Sequence, residues 1–258
     1  MNPHYKKKST SIAKNRIIFG RKPLIEALQS GTDIEKIFIL NTATGEEIQQ
    51  IRSLAKVLNI TISYVPIEKL HRFTNSNHQG VVAIAGLITY QPLQEIISQI
   101  VDQGKSPLLL LLDGITDTRN LGAIARSAQC FGVDAIIIPS NNSAPITEDA
   151  IKTSAGALEL LPICRVGSIE EAIQTLQLNG VLIYASSLKA STPLEDVDFS
   201  SPIAIVMGAE DKGVSNIILQ KADVLFNIPM TDQFDSLNVA VASGITLYEA
   251  YKNRQHSF

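Results

Sequence analysis

The 258-residue chain contains no tryptophan, two cysteines, three methionines and four histidines, and aromatic residues make up only 5% of it. Cys130 and Cys164 lie far apart without a CxxC spacing, so neither a disulfide framework nor a metal site is expected, as suits a reducing cytoplasm. The longest aliphatic run, Leu108–Leu112, falls far short of the roughly 18 apolar residues of a membrane span. The first residues also lack the apolar stretch of a secretory signal, so export is not expected. Nucleotide-binding fingerprints fail as well. No GxGxxG follows a predicted strand, and although Gly208 and Gly213 have Walker separation, Val214 stands where the lysine belongs. The triplet Gly104, Lys105, Ser106 has Gln99 in place of the first glycine. What is present is apolar material: 45% hydrophobic residues, enough for one large domain or two modest ones.

A net charge of −3 argues at first against an anionic nucleic-acid partner. Divided along the chain, the argument fails. Residues 1–105 carry 13 basic and 8 acidic side chains, and residues 106–258 carry 9 basic and 17 acidic. Lys6, Lys7, Lys8, Lys14 and Arg16 fall in the first 16 positions with no acid among them. The segment 1–15 reads as a basic disordered tail, either merely solvated or an arm that grips a phosphate backbone.

After the tail, short strands and helices alternate. Strands are expected at Arg16–Gly20, Ile37–Leu40, Ile60–Val65 and Val81–Ala85, with helices at Pro23–Gln29, Glu46–Leu58 and Ile67–Phe73. The pattern implies a small α/β sandwich over 16–90. Thr89–Pro92 breaks the pattern, and residues 91–105 read as a linker in which Leu93–Gln103 is expected to form a connecting helix. From 106 to 258 the strands become continuous apolar runs, at Leu108–Asp113, Ala135–Pro139, Val181–Ala185, Ile203–Gly208 and Val224–Ile228. Runs without polar alternation are buried on both faces, as in a parallel sheet covered by helices. Those helices are expected at Leu121–Phe131, Thr147–Leu160, Ile169–Leu178, Asn216–Ala222 and Leu237–Asn253. Ligands of such sheets bind at the carboxyl ends of the strands, which directs attention to the loops there.

Three loops carry candidate chemistry. The first, DGITDTRNLGAIAR from Asp113 to Arg126, offers Asn120 as a helix N-cap, and Arg126 as a cation among small apolar residues that calls for an anionic partner or a route to solvent. The second, MGAEDKGVS from Met207 to Ser215, is a tight glycine turn with Glu210 at its rim, which taken alone is an exposed loop acid. The third, IPMTDQFDSLNVAVA from Ile228 to Ala242, places Ser236 as an N-cap, with Asp235 before it. Singly each loop is weak, but their order at successive strand ends makes one candidate site.

These three segments resemble the signature motifs of the SpoU (TrmH-like) family of RNA ribose 2'-O-methyltransferases, in the SPOUT superfamily. The matching residues are Asn120 and Arg126, then Gly208, Glu210 and Gly213, then Ser236, Leu237 and Asn238. FGRKPLIEAL from Phe19 and SNHQGVVAIAG from Ser76 are similar to the substrate-binding module of the subgroup that methylates a guanosine of 23S ribosomal RNA, a module akin to an RNA-binding ribosomal-protein fold. One departure is Ala240, where many members carry serine, so no hydroxyl contact is expected there.

The resemblance implies a C-terminal parallel-sheet domain with a trefoil knot, S-adenosyl-L-methionine as cofactor, an RNA substrate from the large ribosomal subunit, a homodimer, and neither DNA nor membrane as partner. It places the cofactor against Gly208, Ile228, Met230 and Leu237, and catalysis on Arg126, Asn120, Glu210 and Asn238. A guanidinium rarely loses a proton, so Arg126 is expected to hold the target phosphate and stabilise charge developing on oxygen. Glu210 would orient Arg126 or accept the proton, and the two asparagines would fix the loops. The apolar residues Val241, Ile245, Leu247 and Tyr248 of the last helix fit either a dimer contact or ordinary core. Two rivals stay open: a transfer-RNA ribose methyltransferase, and a noncatalytic RNA-binding protein using the basic N-terminal part.

Overall fold

A computed structural model describes residues 16–231 and 236–255. The expected basic tail at 1–15 and Asp235 lie outside the described residues. The chain divides into two units, the first ending at Gly86 and the second beginning at Leu87.

In the first unit, strands β1 (Ile17–Phe19), β2 (Ile34–Leu40), β3 (Ile62–Val65) and β4 (Val81–Ala85) alternate with helices α1 (Arg21–Gln29), α2 (Glu46–Val57) and α3 (Ile67–His71). The sheet order is β1-β4-β2-β3, with only β2 and β3 parallel. Alternate residues of β2 and β4 serve the two faces. Ile37, Ile39, Val81 and Ala83 pack under α1 and α2, against Leu24, Leu28, Ile48 and Ile51, whereas Phe38 and Val82 pack with Leu70 of α3. The strand β2 begins three residues before the expected Ile37, because Glu35 and Lys36 belong to an irregular edge with a register shift against β4.

The second unit is the expected parallel-sheet domain. Its strands are β5 (Tyr90–Gln91), β6 (Leu108–Asp113), β7 (Ala135–Pro139), β8 (Ile163–Val166), β9 (Leu182–Ser186), β10 (Thr192–Pro193), β11 (Ile203–Gly208) and β12 (Val224–Asn227). They pair in the order β10-β12-β9-β11-β6-β7-β8-β5, every neighbour parallel. The helices are α4 (Leu93–Asp102), α5 (Thr118–Cys130), α6 (Glu148–Thr153), α7 (Ala157–Leu160), α8 (Ile169–Leu178), α9 (Asn216–Lys221) and α10 (Val239–Gln255). The leucine run of β6 explains why its sequence does not alternate. Leu108, Leu110 and Leu112 face a core shared with α5 and α10, and Leu109 and Leu111 face one shared with α4, α8 and α9. Full burial of each such side chain contributes about 1.5–3 kcal/mol.

One expectation is corrected. Thr147–Leu160 is not one helix. Ala155 and Gly156 adopt left-handed φ values of 52° and 87°, and Ser154 Oγ donates back to the Ile151 carbonyl, so the helix ends and restarts. The connecting helix expected at Leu93–Gln103 is present as α4. Tyr90–Gln91 pairs with β8, and α4 buries Leu93, Ile96, Ile97 and Ile100 in the second core, because its apolar residues recur at helical spacing. Cys164 is buried, and its thiol is pushed up to about 12 by that burial, which makes it inert packing. No helix among the described residues is long and apolar enough to cross a membrane.

The end of α10 is fastened by Arg254. Its Nε donates to the Phe199 carbonyl at 2.8 Å, Nη1 to Ser106 at 2.8 Å, and Nη2 to Pro107 at 3.0 Å and Ser201 at 2.6 Å. One guanidinium thereby joins the chain before β6, the chain before β11 and the last helix. Burial lowers its pKa, opposed by the charge of Asp134. Arg254→Ala is expected to cost about 2–4 kcal/mol of stability by stranding carbonyls that the charged donor satisfied, seen as a lower urea midpoint.

Candidate active site

The first loop leaves β6 at Asp113, a buried carboxylate whose Oδ2 accepts from the Ser215 N–H at 2.6 Å. That bond ties the end of β6 to the loop leaving β11. Helix α5 then starts three residues earlier than expected. Its N-cap is Asp117, which accepts from the Arg119 and Asn120 amides at 2.8 and 2.9 Å. An ionised carboxylate meets first-turn amides more strongly than a neutral amide oxygen does. Asn120, expected as the cap, therefore sits in the first turn with its side chain free for another partner.

The second loop is closed by the Gly213 N–H, which donates to the Ala209 carbonyl at 2.7 Å and forms an antiparallel bridge. Gly213 takes a positive φ of 67°. A Cβ on Gly208 would run into the Gly213 carbonyl group and the Val214 nitrogen, so the turn folds onto the strand end only if that position is glycine. Glu210 is held at the exposed rim.

The third loop supplies the junction. Asn238, not Ser236, occupies the cap position of α10, its Oδ1 accepting from the Ala240 N–H at 3.0 Å. Its Nδ2 donates to Asn120 Oδ1 at 3.2 Å and to Glu210 Oε2 at 3.3 Å. A side-chain amide has two donors and one acceptor oxygen, and all are used. Asn120, Glu210 and Asn238, one from each loop, thus meet around one amide group.

Arg126 does not join them. It is exposed and makes no hydrogen bond or ion pair with the described residues, so of the two alternatives expected for it, an anionic partner or a route to solvent, the described chain supplies the route to solvent. Six residues on from Asn120, it emerges on a different side of α5. Its neighbour Ser127 lies against Gly244 of α10. Nearby on that helix, Val241, Ile245 and Tyr248 are exposed while Leu247 is fully buried, so the sequence-level ambiguity divides: Leu247 is core and the other three form an outward apolar stripe.

Beside the cluster is a cavity of about 390 Å³, within the usual range for a small-molecule site. Gly208, Ile228, Met230 and Leu237 all line it, and Glu210 stands at its edge. Its other wall, Ser186–Lys189 at the end of β9, went unrecognised in the sequence. The available signal was positional: β9 is a buried apolar run whose carboxyl end opens beside those of β11 and β12. The Asn227 amide donates to the Ala190 carbonyl at 2.6 Å and fastens this wall to β12.

Comparison with known proteins gives the same assignment at both ends of the chain. Residues 107–248 match the SpoU rRNA methylase family, and residues 17–91 match the family described as RNA 2'-O ribose methyltransferase substrate binding. A Staphylococcus saprophyticus protein named to the TrmH family of tRNA/rRNA methyltransferases is 36% identical over 240 residues, covering 93% of this chain and 96% of its own. The solved structure of an AdoMet-bound rRNA methyltransferase from Sinorhizobium meliloti aligns with a TM-score of 0.60 and 27% identity, over 95% of this chain and 89% of that one. A TrmH/SpoU tRNA modifying enzyme of A. aeolicus aligns with a TM-score of 0.54 and 27% identity, over 64% of this chain and 83% of that one.

The cavity fits S-adenosylmethionine in kind. Apolar Ile228, Met230 and Leu237 suit a flat aromatic base, the glycine turn lets backbone approach a ligand, and polar Ser186, Ser187 and Lys189 line the cavity as well. Gly208→Ala is expected to weaken S-adenosylmethionine binding at least tenfold in isothermal titration calorimetry, with the sheet intact by circular dichroism.

Proposed function

The chain belongs to the SpoU family of S-adenosylmethionine-dependent RNA ribose 2'-O-methyltransferases, and from that premise we propose that its substrate is a guanosine of 23S ribosomal RNA. The observation that supports this choice over transfer RNA is the extent of the alignments. The rRNA methyltransferase is matched across 95% of the chain, which takes in both units, whereas a match over 64% is too short to contain both in full. A separate N-terminal unit assigned to substrate binding suits a large structured RNA. Such a substrate would place the enzyme in the cytoplasm.

The cofactor, when bound, supplies a methyl group activated for displacement by its attachment to a sulfonium. The chain's own residues must position a ribose 2'-hydroxyl in line with that methyl and take up the hydroxyl proton as the oxygen–carbon bond forms. Glu210 is the carboxylate of the cluster and the candidate acceptor of that proton. Asn238 fixes its orientation through the 3.3 Å hydrogen bond, and Asn120 fixes Asn238 in turn. Arg126 acts by holding the phosphate next to the target ribose and stabilising negative charge on the oxygen. Its exposure beside the stripe of Val241, Ile245 and Tyr248 supports a homodimer in which a second copy covers the stripe and brings Arg126 to a completed site. A trefoil knot is part of the same reading, supported by the insertion of β11 between β9 and β6 with the glycine turn folded onto its end.

Two measurements test the proposal. Deleting the gene and mapping ribose methylation by nucleoside mass spectrometry is expected to remove one 2'-O-methylguanosine from 23S ribosomal RNA. Loss from transfer RNA alone contradicts the substrate. Arg126→Ala is expected to lower turnover at least about 100-fold, the scale of removing a charge-stabilising group, with cofactor affinity unchanged by calorimetry. Near-normal turnover removes Arg126 from the mechanism.

A further inference from the structure

The two N-terminal stretches singled out in the sequence, around Phe19 and Ser76, meet in space. The Arg21 N–H donates to Gln79 Oε1 at 3.1 Å, and Arg21 Nε donates to the Gln79 carbonyl at 3.1 Å. Gln79 is held for this contact in a left-handed conformation, φ 50°, that a non-glycine residue seldom adopts. On its two sides, Asn77 Oδ1 accepts from the Gln79 N–H and His78 Nδ1 from the Gly80 N–H. The guanidinium is thereby fixed before any ligand arrives. Its Nη1 lies 3.7 Å from Glu47 Oε2, and the donors of Nη2 have no partner among the described residues.

Beside it opens a cavity of about 770 Å³ lined by Arg21, Lys22, Thr42, Thr44, Glu47 and Gln79. Lys22 is exposed and makes no hydrogen bond or ion pair with the described residues. Two cations face one carboxylate, and the threonines add hydroxyl donors. A preset guanidinium fork, a mobile ammonium and hydroxyl donors around an open concavity form a receptor for a phosphate group.

We propose that this cavity is a phosphodiester-binding subsite for the RNA substrate, with Arg21 as its fixed ligand and Lys22 as its adaptable one. The proposal rests on the reading of the chain as an RNA methyltransferase with an N-terminal substrate-binding unit. It assigns contact residues within that unit, and it adds a grip on the RNA outside the site of methyl transfer. The subsite should therefore govern RNA affinity and KM, and not kcat or cofactor binding.

The test uses the full chain with two probes, an in vitro transcript of large-subunit ribosomal RNA and an unmodified transfer-RNA pool. Lys22→Ala is compared with Lys56→Ala, which removes the same charge from the exposed last turn of α2. For whichever RNA is bound, Lys22→Ala is expected to raise Kd about fivefold and to reduce the slope of log affinity against log salt by about 0.7–0.9, the signature of one lost phosphate contact. It should raise KM with kcat and S-adenosylmethionine affinity unchanged, and Lys56→Ala should change Kd by less than about twofold. Arg21→Lys, which keeps the charge but loses the fork, should also raise Kd. Equal effects of the two lysine variants, or none from Lys22→Ala, overturn the subsite. Binding of transfer RNA in place of ribosomal RNA overturns the proposed substrate and leaves the lysine comparison to decide the subsite. Failure of the unaltered protein to bind either RNA overturns both.

Discussion

The side-chain amide of Asn238 is where three loops become one site. It caps α10 with its oxygen, and with its nitrogen it holds Asn120, 118 positions away, and Glu210, 28 positions away. Hydrogen bonds of 3.2 and 3.3 Å on an exposed residue contribute only about 0.5–1.5 kcal/mol each, too little to assemble the site unaided. Assembly comes from the sheet. β11 lies between β9 and β6 with residue-for-residue parallel registers, which brings the carboxyl ends of all three strands together. The Asp113–Ser215 bond and the Gly208 turn then press the loops inward, and Arg254 locks the far end of α10. Asn238 joins positions that the scaffold has already made adjacent.

Charge is distributed to match. The C-terminal part carries the acidic excess and the cavity, whose lining pairs Glu210 and Asp211 with Lys189 and Lys212, and the basic N-terminal part precedes it in the chain. An overall charge of −3 is thus the sum over two unlike stretches of sequence and says little about the partner. The arginines show the same division of labour. Arg254 is buried among carbonyls and fastens the fold, Arg21 is fixed by Gln79 with part of its fork unused, and Arg126 stands exposed with no partner in the described chain. The last two keep most of their donors for an RNA phosphate.

Much of the fold was legible because burial leaves a local signature. β6, β7 and β11 carry uninterrupted apolar runs, and their bounds agree with those read from the sequence. The parallel sheet followed, and with it the search of the strand-end loops. Features set by competition between local bonds were not legible. Asp117 displaced Asn120 as a cap and Asn238 displaced Ser236, since either residue of each pair satisfies capping chemistry and tertiary contacts chose between them. The break at Ala155 depends on a left-handed residue that alanine does not advertise. The two-residue strands β5 and β10 are too short to show a period. The convergence of Asn120, Glu210 and Asn238 is a property of strand order, which local patterns do not encode; the likeness to a known family pointed to those residues, and their meeting point at Asn238 required the fold.

We propose that these loops form one site for methyl transfer to an RNA ribose. This is tested most directly by incubating the purified full chain with S-adenosylmethionine carrying a deuterated methyl group and unmodified 23S ribosomal RNA, then digesting the RNA for nucleoside mass spectrometry. The deuterated methyl is expected on the 2'-oxygen of one guanosine. A label on a base, or no label in the presence of bound cofactor and RNA, would contradict it.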